Sequence, residues 1–148
     1  MPFFAAALLI AATGADVRCS RARLESFISE FKSARDAMVA QPSQSYERLN
    51  DIDQRLEGCI QTEADRELRF KLVLFSTGIH AYIGAAEAGA GNVSRGKATT
   101  DAAVERAKAL VRENRSRPND LKLANELIVQ LDRPLRLIRE AQKHKSPR

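Results

Sequence analysis

Tryptophan is absent from this sequence, and cysteine, histidine, tyrosine and methionine occur twice each. Each scarcity removes a class of function. Cys19 and Cys59 stand far apart in sequence, so there is no Cys-x-x-Cys redox pair and no Cys-x-x-Cys-His haem attachment. A structural zinc site needs about four ligands, usually Cys or His, and no third or fourth ligand falls near either cysteine. No metal or cofactor is therefore expected. No run approaches the roughly 20 apolar residues that a membrane-spanning helix needs. No stretch alternates apolar and polar residues over a strand's length between turn signals, which argues against a sheet. The aromatic content is 5%, and aromatics do not interleave with the basic residues as they do on single-strand nucleic-acid platforms.

What is present begins with an apolar opening. Residues 3–12 are apolar throughout, and Thr13-Gly14-Ala15 after them resembles a small-residue cleavage site. A run of this length with such an end is expected to be a cleaved export signal over residues 1–15, although no Lys or Arg precedes Arg18. The rest, residues 16–148, is long enough for a single domain with its own core, with a short basic tail from about residue 144. Export to the periplasm or outside the cell places the protein in an oxidising compartment. There two cysteines favour one disulfide, Cys19–Cys59.

The remaining chain reads as helix almost throughout. Over 21–39 the apolar residues Leu24, Phe27, Ile28, Phe31, Ala34 and Met38 fall at three- and four-residue steps, the signature of one buried helical face. Pro42 interrupts that pattern. A second helix is predicted over 44–60 on Leu49, Ile52, Leu56 and Cys59, and a third over 63–90. The third has two apolar stripes. Leu68, Leu72, Phe75, Ile79, Tyr82 and Ala86 form the large one, and Gly78, Ala81, Ala85 and Ala88 the small one. A helix apolar on two faces is covered on both, so this helix is expected at the centre. A loop is predicted over 91–98, a fourth helix over 99–114 and a fifth over 118–143, opened by Pro118, with Leu121, Ala124, Ile128, Leu131, Leu135 and Ile138 on its apolar stripe. Pro134 should kink or split the fifth near Gln130, because proline removes a helical hydrogen bond and clashes one turn back. The expected fold is all-α, an up-and-down bundle of four or five helices whose N-terminal hairpin is stapled by the disulfide.

Chemistry-bearing motifs are few. Residues 91–98, Gly-Asn-Val-Ser-Arg-Gly-Lys-Ala, match the phosphate-binding loop until their end. Ala98 stands where that pattern demands Ser or Thr for magnesium, and no strand precedes it. The segment is read as a turn between helices. Residues 101–110 resemble the second helix of a tetratricopeptide repeat in the placement of Ala102, Ala109 and Leu110. Arg106 occupies the usual aromatic position, and no second copy exists, so no repeat array is implied. His80 lies in the third helix, with Ser76 one turn before it and Glu87 two turns after. A groove formed by His80, Gly78, Ala81 and Glu87 could hold a small molecule or carry acid–base work. No residue is assigned as catalytic.

Charge is the stronger signal. The net charge of +5 is unevenly spread. Residues 47–67 hold seven acids against three bases, whereas residues 95–148 hold fourteen bases against seven acids. Arg133, Arg136, Arg139 and Lys143 recur at three- and four-residue steps and make a cationic ridge. Such a ridge attracts an anionic protein or membrane surface. The leading expectation is an exported, non-catalytic helical protein that binds a protein partner or an anionic envelope surface, with no nucleic acid involved. The alternative is a small-molecule-binding bundle or a small helical enzyme acting at the groove near His80.

Overall fold

The computed structural model describes residues 19–145, and the expected signal over 1–15 lies outside the described residues. Six helical segments follow in order: α1 (Arg21–Ala37), α2 (Pro42–Thr62), α3 (Arg66–Gly89), α4 (Val93–Glu113), α5 (Pro118–Gln130) and α6 (Asp132–Lys145). The described residues contain no strand. Only Leu131 separates α5 from α6, so the pair counts as one interrupted helix in a five-helix bundle.

The helix ends follow local chemistry. Ser20 caps α1 by accepting a hydrogen bond from Arg23 N at 3.2 Å, and Asp65 caps α3 by accepting from Leu68 N at 2.8 Å, satisfying amides that have no intrahelical partner. Pro42 and Pro118 open α2 and α5, where proline's missing N–H is no loss. Pro134 lies in the first turn of α6. It cannot donate to the Gln130 carbonyl, and the helix breaks at Leu131, as its position predicts. Helix α6 runs through Lys145, and the rest of the expected tail, residues 146–148, lies outside the described residues.

Consecutive helices pack on one another, and α3 also contacts α5 and α6. Its large stripe joins a core with Phe27, Phe31, Leu49, Leu56 and Ile138 from α1, α2 and α6. Its opposite side, through Leu74 and Ala81, joins a second core with Ala103, Leu110 and Leu127 from α4 and α5. The third helix is thus central and covered on both faces. In α5 the buried stripe runs through Asp120, Ala124 and Leu127, not Leu121 and Ile128 as the spacing suggested. Both faces of α5 are apolar, and the Arg66–Asp120 pair at 2.7 Å turns the Asp120 side inward against α3.

The cysteines are where the hairpin should bring them. The turn over 38–41 is short and α2 starts at its proline, so the two arms match in length. Cys19 and Cys59 are both buried and lie 2.6 Å apart, near but not bonded.

The predicted loop over 91–98 is a helix stop and a helix start. Gly91 has φ +107°, Asn92 N donates to Glu87 O at 3.0 Å, and Gly91 N donates to Ala88 O at 3.1 Å. These bonds and the positive φ are the glycine-terminated Schellman arrangement. From Val93 onward the chain is already α4. Gly96 sits inside that helix, where it meets Gly84 of α3. A Cβ on Gly84 would lie 2.5 Å from Gly96 O and 2.8 Å from Thr100 N, and one on Gly96 would lie 2.7 Å from Ala88 N. The two helices cross backbone against backbone. Thr100 Oγ1 donates to Ala81 O at 3.1 Å within the same contact.

The crossing sets a sign test. Alanine is favoured over glycine in a helix interior by about 1 kcal/mol, and Gly58 of α2, whose Cβ would meet nothing within 4 Å, should show that gain when replaced. Gly84→Ala or Gly96→Ala forces backbone apart and should instead lose about 2 kcal/mol or more, since overpacking outweighs propensity. Urea denaturation of Gly58→Ala and Gly96→Ala would read opposite shifts. A Gly96→Ala protein as stable as wild type would refute the close crossing.

Candidate functional site

The ridge residues of α6 do not stay together. Arg133 and Arg136 meet Arg35 of α1 at a cavity of about 440 Å³, which Phe31, Tyr82 and Gln130 also line. Arg139 and Lys143 lie further along α6, exposed and away from that cavity. The position of Arg35 follows from α1 packing. Phe31 is buried against Tyr82, with ring centroids 5.5 Å apart at 73°, and the Arg35 guanidinium lies 5.7 Å from the Phe31 ring centre. A guanidinium on an aromatic face gains cation–π attraction and keeps its edge for an anion.

The charges around this cavity are partly met. Arg35 Nε pairs with Asp36 at 3.1 Å and Arg136 Nε with Asp132 at 2.9 Å, in both cases a carboxylate largely in water. Exposed pairs of this kind contribute little, about 0–1 kcal/mol, and exchange readily. Burial pushes the Tyr82 hydroxyl above the ordinary tyrosine value, against the opposing pull of Arg133, Arg35 and Arg136. The Gln130 Oε1 atom is buried at this cavity without a hydrogen-bond partner among the described residues. Three guanidinium groups, a phenol and an amide line this concavity with one carboxylate, Asp132, a cationic excess that can bind an anionic group and orient it.

The four residues expected to line a groove, His80, Gly78, Ala81 and Glu87, face different neighbours. Gly78 and Ala81 are buried, Gly78 facing Leu127 of α5, whose Cδ1 would lie 3.5 Å from a Cβ there. Glu87 is also buried. It accepts from Thr99 Oγ1 at 2.9 Å and pairs with Arg95 Nε at 3.1 Å, both from α4. His80 turns to α2 instead. Its Nε2 donates to Asp53 Oδ2 at 2.6 Å, and Ser76 Oγ donates to Asp53 Oδ1 at 2.9 Å. Serine and imidazole thus share one carboxylate and do not bond to each other, so no nucleophile–base relay exists. The arrangement ties α2 to α3. Asp53 is the residue that spacing could not find, because helical period places Ser76 and His80 on one edge without saying which neighbour faces it.

Among the described residues no group of three or more His, Cys, Asp or Glu is placed to hold a metal ion. No described helix is long and apolar enough to cross a membrane. Comparison with protein families, with curated proteins and with solved structures returns no match to this chain.

The His80–Asp53 pair makes stability depend on pH. The imidazole is held above its ordinary value of 6.5, chiefly by the hydrogen bond to Asp53, with burial opposing and the fields of Asp53 and Glu57 adding. A histidine raised on folding stabilises the fold fully below the unfolded value, and that contribution is lost as pH rises through the raised one. The stability difference between wild type and His80→Gln should therefore be larger at about pH 5.5 than at pH 8.5. Denaturant midpoints at the two pH values measure it, and a difference that grows towards pH 8.5 would contradict the pairing.

Proposed function

We propose that this chain is an exported, non-catalytic helical protein that binds an anionic partner, an acidic protein or an envelope surface, through the cationic face of α6. The observation that carries this reading is the convergence of Arg133 and Arg136 with Arg35, a cation from a different helix, around one cavity. Charge on a single helix often only complements that helix's own dipole. Charge assembled from two helices around a concavity is better suited to an outside ligand. The acidic second helix does not neutralise the ridge. Its Asp51 pairs with Arg55 at 2.8 Å and its Asp53 with His80, and no ion pair joins α2 to α6 among the described residues. Arg139 and Lys143 extend the field along α6 without a carboxylate partner among the described residues.

Near an anionic surface each cation contributes roughly 1 kcal/mol. Reversing Arg133, Arg136 and Arg139 together to Glu should weaken sedimentation with vesicles rich in anionic lipid, or capture by an acidic protein, at least about 100-fold. Circular dichroism should be unchanged. Binding that survives the triple reversal and does not fall with added salt would exclude this surface.

Export also gives the two cysteines a role. In an oxidising compartment, side chains held this close are expected to join as a disulfide that closes the α1–α2 hairpin. Closing a loop of this size stabilises by about 3–4 kcal/mol in the chain-entropy account. Intact mass after alkylation should show both thiols blocked by the bond, and a reductant should lower the unfolding temperature. Two fully alkylatable cysteines in protein taken from its own compartment would refute the pairing.

A further inference from the structure

Two large apolar side chains stand out in solvent among the described residues, Val39 at 75% exposure and Val129 at 74%. Each borders a cavity. Val129 lies at the arginine cavity already described, and Val39 lies at a second one of about 460 Å³. The second cavity opens between the end of α1, the end of α3 and the C-terminal half of α6, and it shares no lining residue with the first. Met38, Ala88, Leu137 and Ala141 make it predominantly apolar. Its volume falls within the range of small-ligand sites, which combine an apolar body with a few polar groups at one edge.

The polar edge here is asymmetric. His144 and Lys145, in the last turn of α6, border the cavity together with Glu140. Lys145 Nζ donates to the Gly91 carbonyl at 3.2 Å, across the α3–α4 turn. Neither His144 nor Lys145 forms an ion pair among the described residues, and Glu140 reaches neither. An ammonium resting on a neutral carbonyl gains more from a carboxylate, because charge-assisted hydrogen bonds are roughly twice as strong as neutral ones. The cavity therefore pairs an apolar interior with a cation that, although Glu140 borders the same edge, has no ion-pair partner among the described residues.

We propose that this cavity binds a single-chain anionic amphiphile, a medium-chain fatty acid. The acyl chain lies along Ala88, Leu137 and Ala141, and the carboxylate takes Lys145 from Gly91 O, with His144 beside it. Val39 then covers the exposed flank of the chain, and its own exposure ends.

Titration of the full chain with dodecanoate, followed by calorimetry, tests this. Saturable one-to-one binding is expected. Ala141→Trp, which fills the cavity, should weaken it at least about tenfold, and Lys145→Glu should do so by a similar factor. Val39→Glu provides a variant at a solvent-exposed position that burdens the fold little, and it too should weaken binding. Arg133→Glu/Arg136→Glu, at the other cavity, should leave it unchanged, so failure here is separable from failure of the anionic-partner reading. Absence of saturable binding, or binding unaltered by both Ala141→Trp and Val39→Glu, would overturn the proposal. Dodecyltrimethylammonium binding as tightly as dodecanoate would overturn the assignment of an anionic head.

Discussion

The crossing of α3 on α4 at Gly84 and Gly96 is the contact on which the rest of this structure depends. Two glycines in helix interiors are costly in backbone entropy, and no hydrogen bond between them offsets that cost. What they permit is contact without intervening side chains, so that Ala81, Ala103 and Ala107 pack closely in the second core beside Leu74, Leu110 and Leu127. Close approach also determines which polar groups α3 can carry. Glu87 is buried, and a buried carboxylate is tolerated only with partners. Arg95 and Thr99, which supply them, flank Gly96 in the first two turns of α4. A wider crossing would carry both away and leave the charge unanswered.

Because α3 is covered by α4 and α5 on one side and by α1, α2 and α6 on the other, the surface chemistry of this protein is left to the outer helices. Their charges are not equivalent. On α2 the acids find cations nearby, Asp51 with Arg55 and Asp53 with His80, and Arg55 also holds Glu30 of α1 at 3.0 Å. Part of the acidic charge on that side is thus met within the molecule. On α6 only Arg136 has a carboxylate partner among the described residues, within its own helix. The imbalance between the two sides, more than the net charge, gives the molecule a cationic face.

Much of the architecture was legible because one-face periodicity is a strong signal in Leu-, Phe- and Ala-rich helices. Phe31, Leu56, Leu72 and Ile138 all reach the core that their spacing predicts. Pro134 broke its helix for a reason visible in any sequence. The misses share one cause, which is that periodicity describes a helix and not its neighbour. Asp53 as the partner of His80, Arg35 as the third member of the arginine cavity, and Leu127 in place of Ile128 all depend on which helix lies opposite. Gly96 is a different case. Two glycines five residues apart look like a loop, yet Gly91 is there for its positive φ and Gly96 for its missing side chain, and only the second lies inside a helix.

The break at Leu131 connects these points. A continuous helix through Pro118 and Lys145 would keep one packing register along the bundle, whereas α6 starts afresh after the proline-enforced stop. Its buried residues are Pro134 in the first turn and Ile138 one turn further on. Two cavities border α6, one along its first half at Asp132, Arg133 and Arg136, the other along its second half at Leu137, Ala141 and Lys145. The same segment carries the surplus cations. Proline placement therefore does more than divide a helix here. It leaves a short element whose two halves each set positive charge beside a cavity, the arrangement on which both proposed anionic ligands rest.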